Sequence, residues 1–203
     1  MKLVFVRHGE TEENVENILQ GQGKAKLNSK GKEQARKLAK RLKWMKIHTA
    51  YVSDLPRTME TAQEILKYHP GTTIIYSASL REKSHGIFEG QHKGAMFKAE
   101  KSSGLSFWDF KPEKGESHWE LQKRIKRFCK QLMKQISADT ILIVSHGEAI
   151  SILLHDILEE RYTPESYYRY HPENGAVIIM EIRGKKKPLV KVLNCVKHLE
   201  GRE

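Results

Sequence analysis

Apolar and polar positions follow two rhythms along this chain. Residues 3–6 and 140–144 are near-continuous apolar runs, the form taken by strands buried on both faces. Shorter β-favouring stretches fall at 50–53 and 72–76, and two more, 176–182 and 189–196, are separated by the turn-like Arg183-Gly184-Lys185. Between them the rhythm becomes helical. In 31–44 the residues Ala35, Leu38, Ala39 and Leu42 share one face. In 57–68 the inward set is Thr61, Ala62, Ile65 and Leu66. The longest helix, 116–136, carries Trp119, Ile125, Phe128, Leu132 and Ile136 on one side, and 148–158 follows the next strand. Alternating strands and helices predict a three-layer α/β/α sandwich with a mostly parallel central sheet. The stretch 90–115 breaks the rhythm. It mixes glycines and lysines with Phe97, Phe107, Trp108 and Phe110, and reads as an inserted lid over the active edge of a single domain spanning 1–203.

Composition narrows the class. A hydrophobic share of 38% with 30% charged residues suits a sheet core covered by amphipathic helices. No apolar run is long enough for a membrane span, and no signal region fits before Leu3, so a cytoplasmic protein is expected. Cys129 and Cys195 form no metal-ligand pattern and read as reduced structural thiols. The net charge of +11 comes from dispersed lysines on solvated helix faces, without aromatic or zinc-ligand patterns, which weighs against nucleic acid. The same charge draws small anions. Self-association into a homodimer stays open.

The chemistry lies where strands end. The first apolar run empties into Arg7-His8-Gly9-Glu10-Thr11, and the 140–144 run into Ser145-His146-Gly147-Glu148. Residues 50–53 lead through Asp54-Leu55-Pro56 to Arg57, and 72–76 are followed by Leu80-Arg81-Glu82. In a parallel sheet these groups meet at the carboxyl edge, where ligands of open α/β sheets bind. Two arginines, two histidines and a carboxylate suit phosphoryl transfer. Arginine forks match phosphate oxygens, histidine serves as nucleophile, and a carboxyl group can protonate a leaving oxygen. Among the remaining histidines, His85 reads as an exposed loop residue, and His92, His118, His155, His171 and His198 as ordinary ones. Asn174-Gly175 reads first as a turn before a strand and second as a pocket contributor.

Arg7-His8-Gly9-Glu10-Thr11 resembles the signature of the histidine phosphatase superfamily, which includes the cofactor-dependent phosphoglycerate mutases. Asn14, Gln20-Gly21, Gly31-Lys32-Glu33-Gln34-Ala35, Ser53-Asp54-Leu55-Pro56-Arg57-Thr58, Leu80-Arg81-Glu82, Gly115-Glu116-Ser117 and Val144-Ser145-His146-Gly147 extend the likeness in order across 3–180. The resemblance implies a phosphoglycerate mutase-like fold and a phosphohistidine on His8. Arg7, Arg57 and His146 would hold the non-bridging oxygens, with Asn14, Gln20, Gly21 and the Gly147 backbone assisting. Glu82 would protonate the leaving oxygen and then activate water. No metal or other cofactor is implied, because the cations are side chains, and the partner is a small phosphorylated metabolite. Mutases of the family are generally longer and read Glu-Arg-His-Tyr-Gly where this chain has Glu82-Lys83-Ser84-His85-Gly86. The expected activity is therefore a phosphomonoesterase, with a mutase or a catalytically idle phospho-ligand-binding relative as the alternatives. Lys24, Lys26 and Asn28 depart from the family pattern. The two lysines are expected at the pocket rim, favouring substrates with more than one anionic group.

Overall fold

The computed structural model describes residues 1–135, 139–166, 168–184 and 186–200. Six strands, β1 (Lys2–Arg7), β2 (Thr49–Val52), β3 (Thr73–Tyr76), β4 (Thr140–Ser145), β5 (Val177–Glu181) and β6 (Leu189–Cys195), form one sheet in the order β3-β2-β4-β1-β5-β6. The first four run parallel, and β5 and β6 add antiparallel. This is the expected mostly parallel α/β sandwich.

Strand alternation divides the core between two faces. Leu3, Phe5, Ile141 and Ile143 point into one cluster, with Leu121, Ile125, Phe128 and Leu132 of α5 (His118–Met133) and the apolar side of α6 (Gly147–Ile157). Val4, Val6, Leu142 and Val144 point the other way, against Leu38 and Leu42 of α2 (Ser29–Leu42) and Ala62 and Ile65 of α3 (Pro56–Leu66). Helix starts follow local chemistry. Asn28 caps α2 by accepting the Gly31 amide at 2.7 Å, Pro56 opens α3, and Ser117 with Glu120 forms a capping box on α5. A short helical turn, α1 (Glu12–Val15), is boxed by Thr11 and Asn14. Gly9 and Gly31 let the loop leaving β1 lie against the first turn of α2. A Cβ on Gly9 would strike the Gly31 carbonyl, and one on Gly31 the backbone of Glu10.

Two expectations change. Residues 93–103 form a helix, α4 (Lys93–Ser103), closed by Gly104 in the left-handed region. Met96 is its one buried side chain, so no apolar stripe betrays it. Trp119 is not inward: it is half exposed, and its ring lies against Trp108 with centroids 4.9 Å apart. The inward positions are Leu121, Ile125, Phe128, Cys129 and Leu132. The β-favouring stretch 72–76 is found as β3, an edge strand whose four residues are all exposed. The expected helical position Ile136 and the turn residue Lys185 lie outside the described residues.

Truncating Ile125, fully buried between α5 and the sheet, to alanine should lower stability by about 2–5 kcal/mol, whereas Trp119→Ala should change it by less than about 1 kcal/mol. Urea unfolding midpoints of the two variants check the contrast.

Candidate active site

The site is organised by one parallel pairing. β1 and β4 align with Arg7 opposite Ser145, and the pairing continues one step further as the His8 amide donates to the Ser145 carbonyl at 3.1 Å. The next residue of each chain segment is therefore delivered to the same edge. The rings of His8 and His146 lie with centroids 5.2 Å apart. β2 adds Ser53 beside them: its amide donates to Val144, and its Oγ is 2.8 Å from Nε2 of His146.

The tautomer of His8 follows from its partner. Nδ1 lies 2.7 Å from the Gly9 carbonyl, which can only accept, so Nδ1 carries the proton and Nε2 keeps its lone pair. Burial, then the charges of Arg57 and Arg7, hold the His8 pKa well below 6.5. The imidazole is thus neutral at physiological pH and nucleophilic at Nε2.

Arg57, at the start of α3, is almost wholly buried. Its Nη2 donates to the Gly21 carbonyl at 2.7 Å and its Nη1 to Gly23 at 3.0 Å. Burial pushes it down to about 10, with Glu82 opposing, so it stays charged. Asp54 does not pair with it but takes Arg81, through two contacts of 2.6 Å. Arg7 donates to the Pro172 carbonyl at 2.7 Å. Asn14 accepts from the Thr11 amide and from Nδ2 of Asn174, each at 3.2 Å, which orients its own amide group. Glu82 accepts the Lys83 amide at 3.1 Å and the Glu148 amide at 3.3 Å, one on each oxygen. Its backbone is clamped from behind. Arg124 donates to the carbonyls of Ser79, Arg81 and Glu82 while its guanidinium grips Glu116 at 2.7 Å.

A cavity of about 390 Å³ collects Arg7, His8, Asn14, Gln20, Gly21, Arg57 and Glu82. His146 and Gly147 do not line it. His146 is fully buried behind His8, and Gly147 begins α6 beneath the His171 ring, where a Cβ would collide. Lys24 and Lys26 are exposed and outside the lining, so the expected rim lysines are misplaced. Lys93 stands on the wall instead, its Nζ donating to Asn17 at 2.6 Å. Sequence reasoning also missed His85 and His171. His85 is not an exposed loop residue: it is buried on the cavity wall, and His171 lines the wall too. Glu148 and Tyr168 join them, as do Phe97 of α4 and Asn174. The Glu148 position, directly after the second His-Gly pair, was the available signal. Nothing local marks His85 or His171. Among the described residues no group of three metal-binding side chains is placed to hold an ion.

A neutral nucleophilic histidine, two arginines and a carboxylate at the carboxyl edge of a parallel sheet are what phosphoryl transfer through histidine requires. The chain belongs to the histidine phosphatase superfamily (branch 1), whose family model matches residues 3–195. A relative named probable phosphoglycerate mutase GpmB, from Enterobacter sp. (strain 638), is 34% identical over 164 residues, covering 78% of this chain and 75% of its own. Among solved structures, the alpha-ribazole phosphatase from Shigella flexneri superposes with a TM-score of 0.86 at 27% identity, covering 96% of each chain. Phosphoserine phosphatase from Entamoeba histolytica, in complex with 3-phosphoglyceric acid, gives 0.80 at 27% identity over 98% of each.

The buried histidines make stability depend on pH. Burial first, then neighbouring cations, lowers His85 to about 3 and His171 to about 4; burial followed by charge also holds His8 and His146 well below 6.5. The unfolded chain protonates these groups below 6.5 while the fold keeps them neutral. Stability is then full above 6.5 and is lost as pH falls, by about 1.4 kcal/mol per pH unit for each such histidine. Urea unfolding at about pH 7.5 and about pH 5.5 should show this loss, and His85→Gln should make it shallower.

Proposed function

We propose that the chain hydrolyses small phosphomonoesters through a phosphohistidine on His8. The carrying observation is the His8 tautomer: Nδ1–H is committed to the Gly9 carbonyl and Nε2 is left as the nucleophile, in the cavity that holds Arg7 and Arg57. Nε2 attacks phosphorus, the bond from phosphorus to the leaving oxygen breaks, and Glu82 gives that oxygen its proton. In the second half Glu82 takes a proton from water, the new oxygen–phosphorus bond forms, and the nitrogen–phosphorus bond breaks. The arginines neutralise the charge spread over the non-bridging oxygens. Asn14, Gln20 and Gly21 line the phosphate end. His146, packed against His8 with its Nε2 at the Ser53 hydroxyl, backs the nucleophilic ring and adds no charge there.

The family and the phosphatase relatives at 27% identity make the chain a hydrolase of phosphoric monoesters. Substrate choice we assign to α4 as part of a lid. Lys93 and Phe97 stand one helical turn apart and both line the cavity. Lys93 would read a second anionic group, a carboxylate or phosphate, on the substrate. The two free cysteines fit a cytoplasmic setting, and no helix among the described residues is long and apolar enough to cross a membrane. A second reading, phosphoglycerate mutase, rests on the name of the GpmB relative.

Phosphate release from a panel of phosphomonoesters, with EDTA present, tests the proposal. Wild type should be active, His8→Ala should fall to background, and Glu82→Gln should lose about 10²–10⁴-fold in kcat. Lys93→Ala should raise KM for substrates with a second anion and leave p-nitrophenyl phosphate unchanged. The panel includes 3-phosphoglycerate with and without 2,3-bisphosphoglycerate. Isomerisation without hydrolysis would establish the mutase reading, and neither activity from folded protein would overturn both.

A further inference from the structure

The catalytic cavity holds a carboxylate that the phosphoryl-transfer steps leave unused. Glu148 stands in the first turn of α6, directly after His146-Gly147, and lines the cavity. A carboxylate in a helix's first turn meets the positive end of its dipole, which accounts for a glutamate at this position. The dipole does not account for its burial against a phosphate site. The side chain is largely buried, and the Glu148 amide donates to Oε2 of Glu82 at 3.3 Å. The second carboxylate thus stands beside the first, where the leaving oxygen takes its proton. Tyr162 registers the same proximity: burial first, then the charges of Glu148 and Glu82, push its hydroxyl up. Oε2 of Glu148 lies 3.8 Å from Nδ1 of His118, and the Phe107 ring stacks on that imidazole with centroids 3.7 Å apart. Burial, then the charges of Lys83 and His85, lowers His118 to about 2, so this ring is neutral and cancels none of the carboxylate's charge.

A carboxylate in such a cavity works against the binding of most phosphoesters. It repels the phosphate, and a neutral or anionic leaving group gains nothing from it. A cationic leaving group reverses the sign: the cation pairs with Glu148 while the phosphate pairs with Arg7 and Arg57. Resting on the phosphomonoesterase reading above, we propose that Glu148 is a specificity-determining residue, and that the preferred substrates are phosphomonoesters of amino alcohols. The protonated amine, a few bonds from the ester oxygen, donates to the Glu148 carboxylate. An anion at the same place on the leaving group is repelled. Lys93 stands on a different element, α4, so a distal anion read there is compatible with an amine nearer the ester.

Calorimetric titration of the wild-type chain with phosphonates tests this without turnover, because their carbon–phosphorus bond is not an ester. 3-Aminopropylphosphonate and butylphosphonate match in heavy atoms and differ in the terminal amine. The amine should bind at least about tenfold more tightly, and 3-hydroxypropylphosphonate should stay within about threefold of butylphosphonate. Glu148→Asp keeps the charge and should keep the preference, whereas Glu148→Gln should bring amine and alkane within about threefold. Equal binding of the two by wild type, binding of neither, a hydroxyl as good as the amine, or a preference retained in Glu148→Gln would overturn the proposal. Phosphate release from p-nitrophenyl phosphate and 2-aminoethyl phosphate is measured alongside. Release without an amine preference in binding sinks the amine assignment alone. An amine preference without release from any ester supports the assignment and sinks the phosphomonoesterase reading.

Discussion

Everything at the candidate site depends on the parallel register of β1 against β4. With Arg7 opposite Ser145 and the His8 amide on the Ser145 carbonyl, two histidines far apart in sequence emerge side by side. A slip of one residue would send both apolar runs to the wrong faces, because side chains alternate with period two. The register is protected by the core itself. Leu3 and Phe5 must meet α5 and α6, while Val4 and Val6 must meet α2 and α3. Packing on both faces of the sheet thereby sets the geometry at its edge.

The second constraint is the handling of buried charge. Arg57 is nearly inaccessible, and an isolated guanidinium in such a place would be costly. Backbone carbonyls of the 21–23 loop take two of its nitrogens, which leaves the cation unneutralised and available to an anionic ligand. Burial first, and the same positive field second, keep the neighbouring histidines neutral. On the proposed mechanism, one cluster of cations both attracts phosphate and helps to hold the nucleophile in its reactive form. The carboxylate side is built differently. Glu82 hangs from two amides, and the Arg124–Glu116 pair fixes its backbone through three carbonyls. Glu89 joins the 21–22 loop to the 84–85 loop by accepting the amides of Gln22 and His85. The loop beside Arg57 and the loop that follows Glu82 are thereby tied together.

By itself the sequence determined the sheet, four of the main helices and which candidate reactive groups stand at the strand ends. Continuous apolar runs mark strands buried on both faces, helical stripes mark helices packed on one, and reactive side chains at strand ends converge when strands are parallel. These are local signals with a local cause. Tertiary structure alone decided the rest. α4 buries a single side chain, so its helix carries no stripe. Trp119 sits at a plausible inward position but turns out toward Trp108, because the inward face is already filled by Leu121 and Ile125. His85 reaches the cavity from a loop that Glu89 ties to the distant Gln22 amide, and His171 from one whose path depends on Gly147 and Arg7, residues remote in sequence. Lys24 and Lys26 yield the wall to Lys93 because the segments at 17–19 and 90–93 pair with each other, through Leu19 to Gln91 and Lys93 to Asn17. Periodicity reports which face of an element is buried; only the packing of distant segments settles which side chains share a cavity.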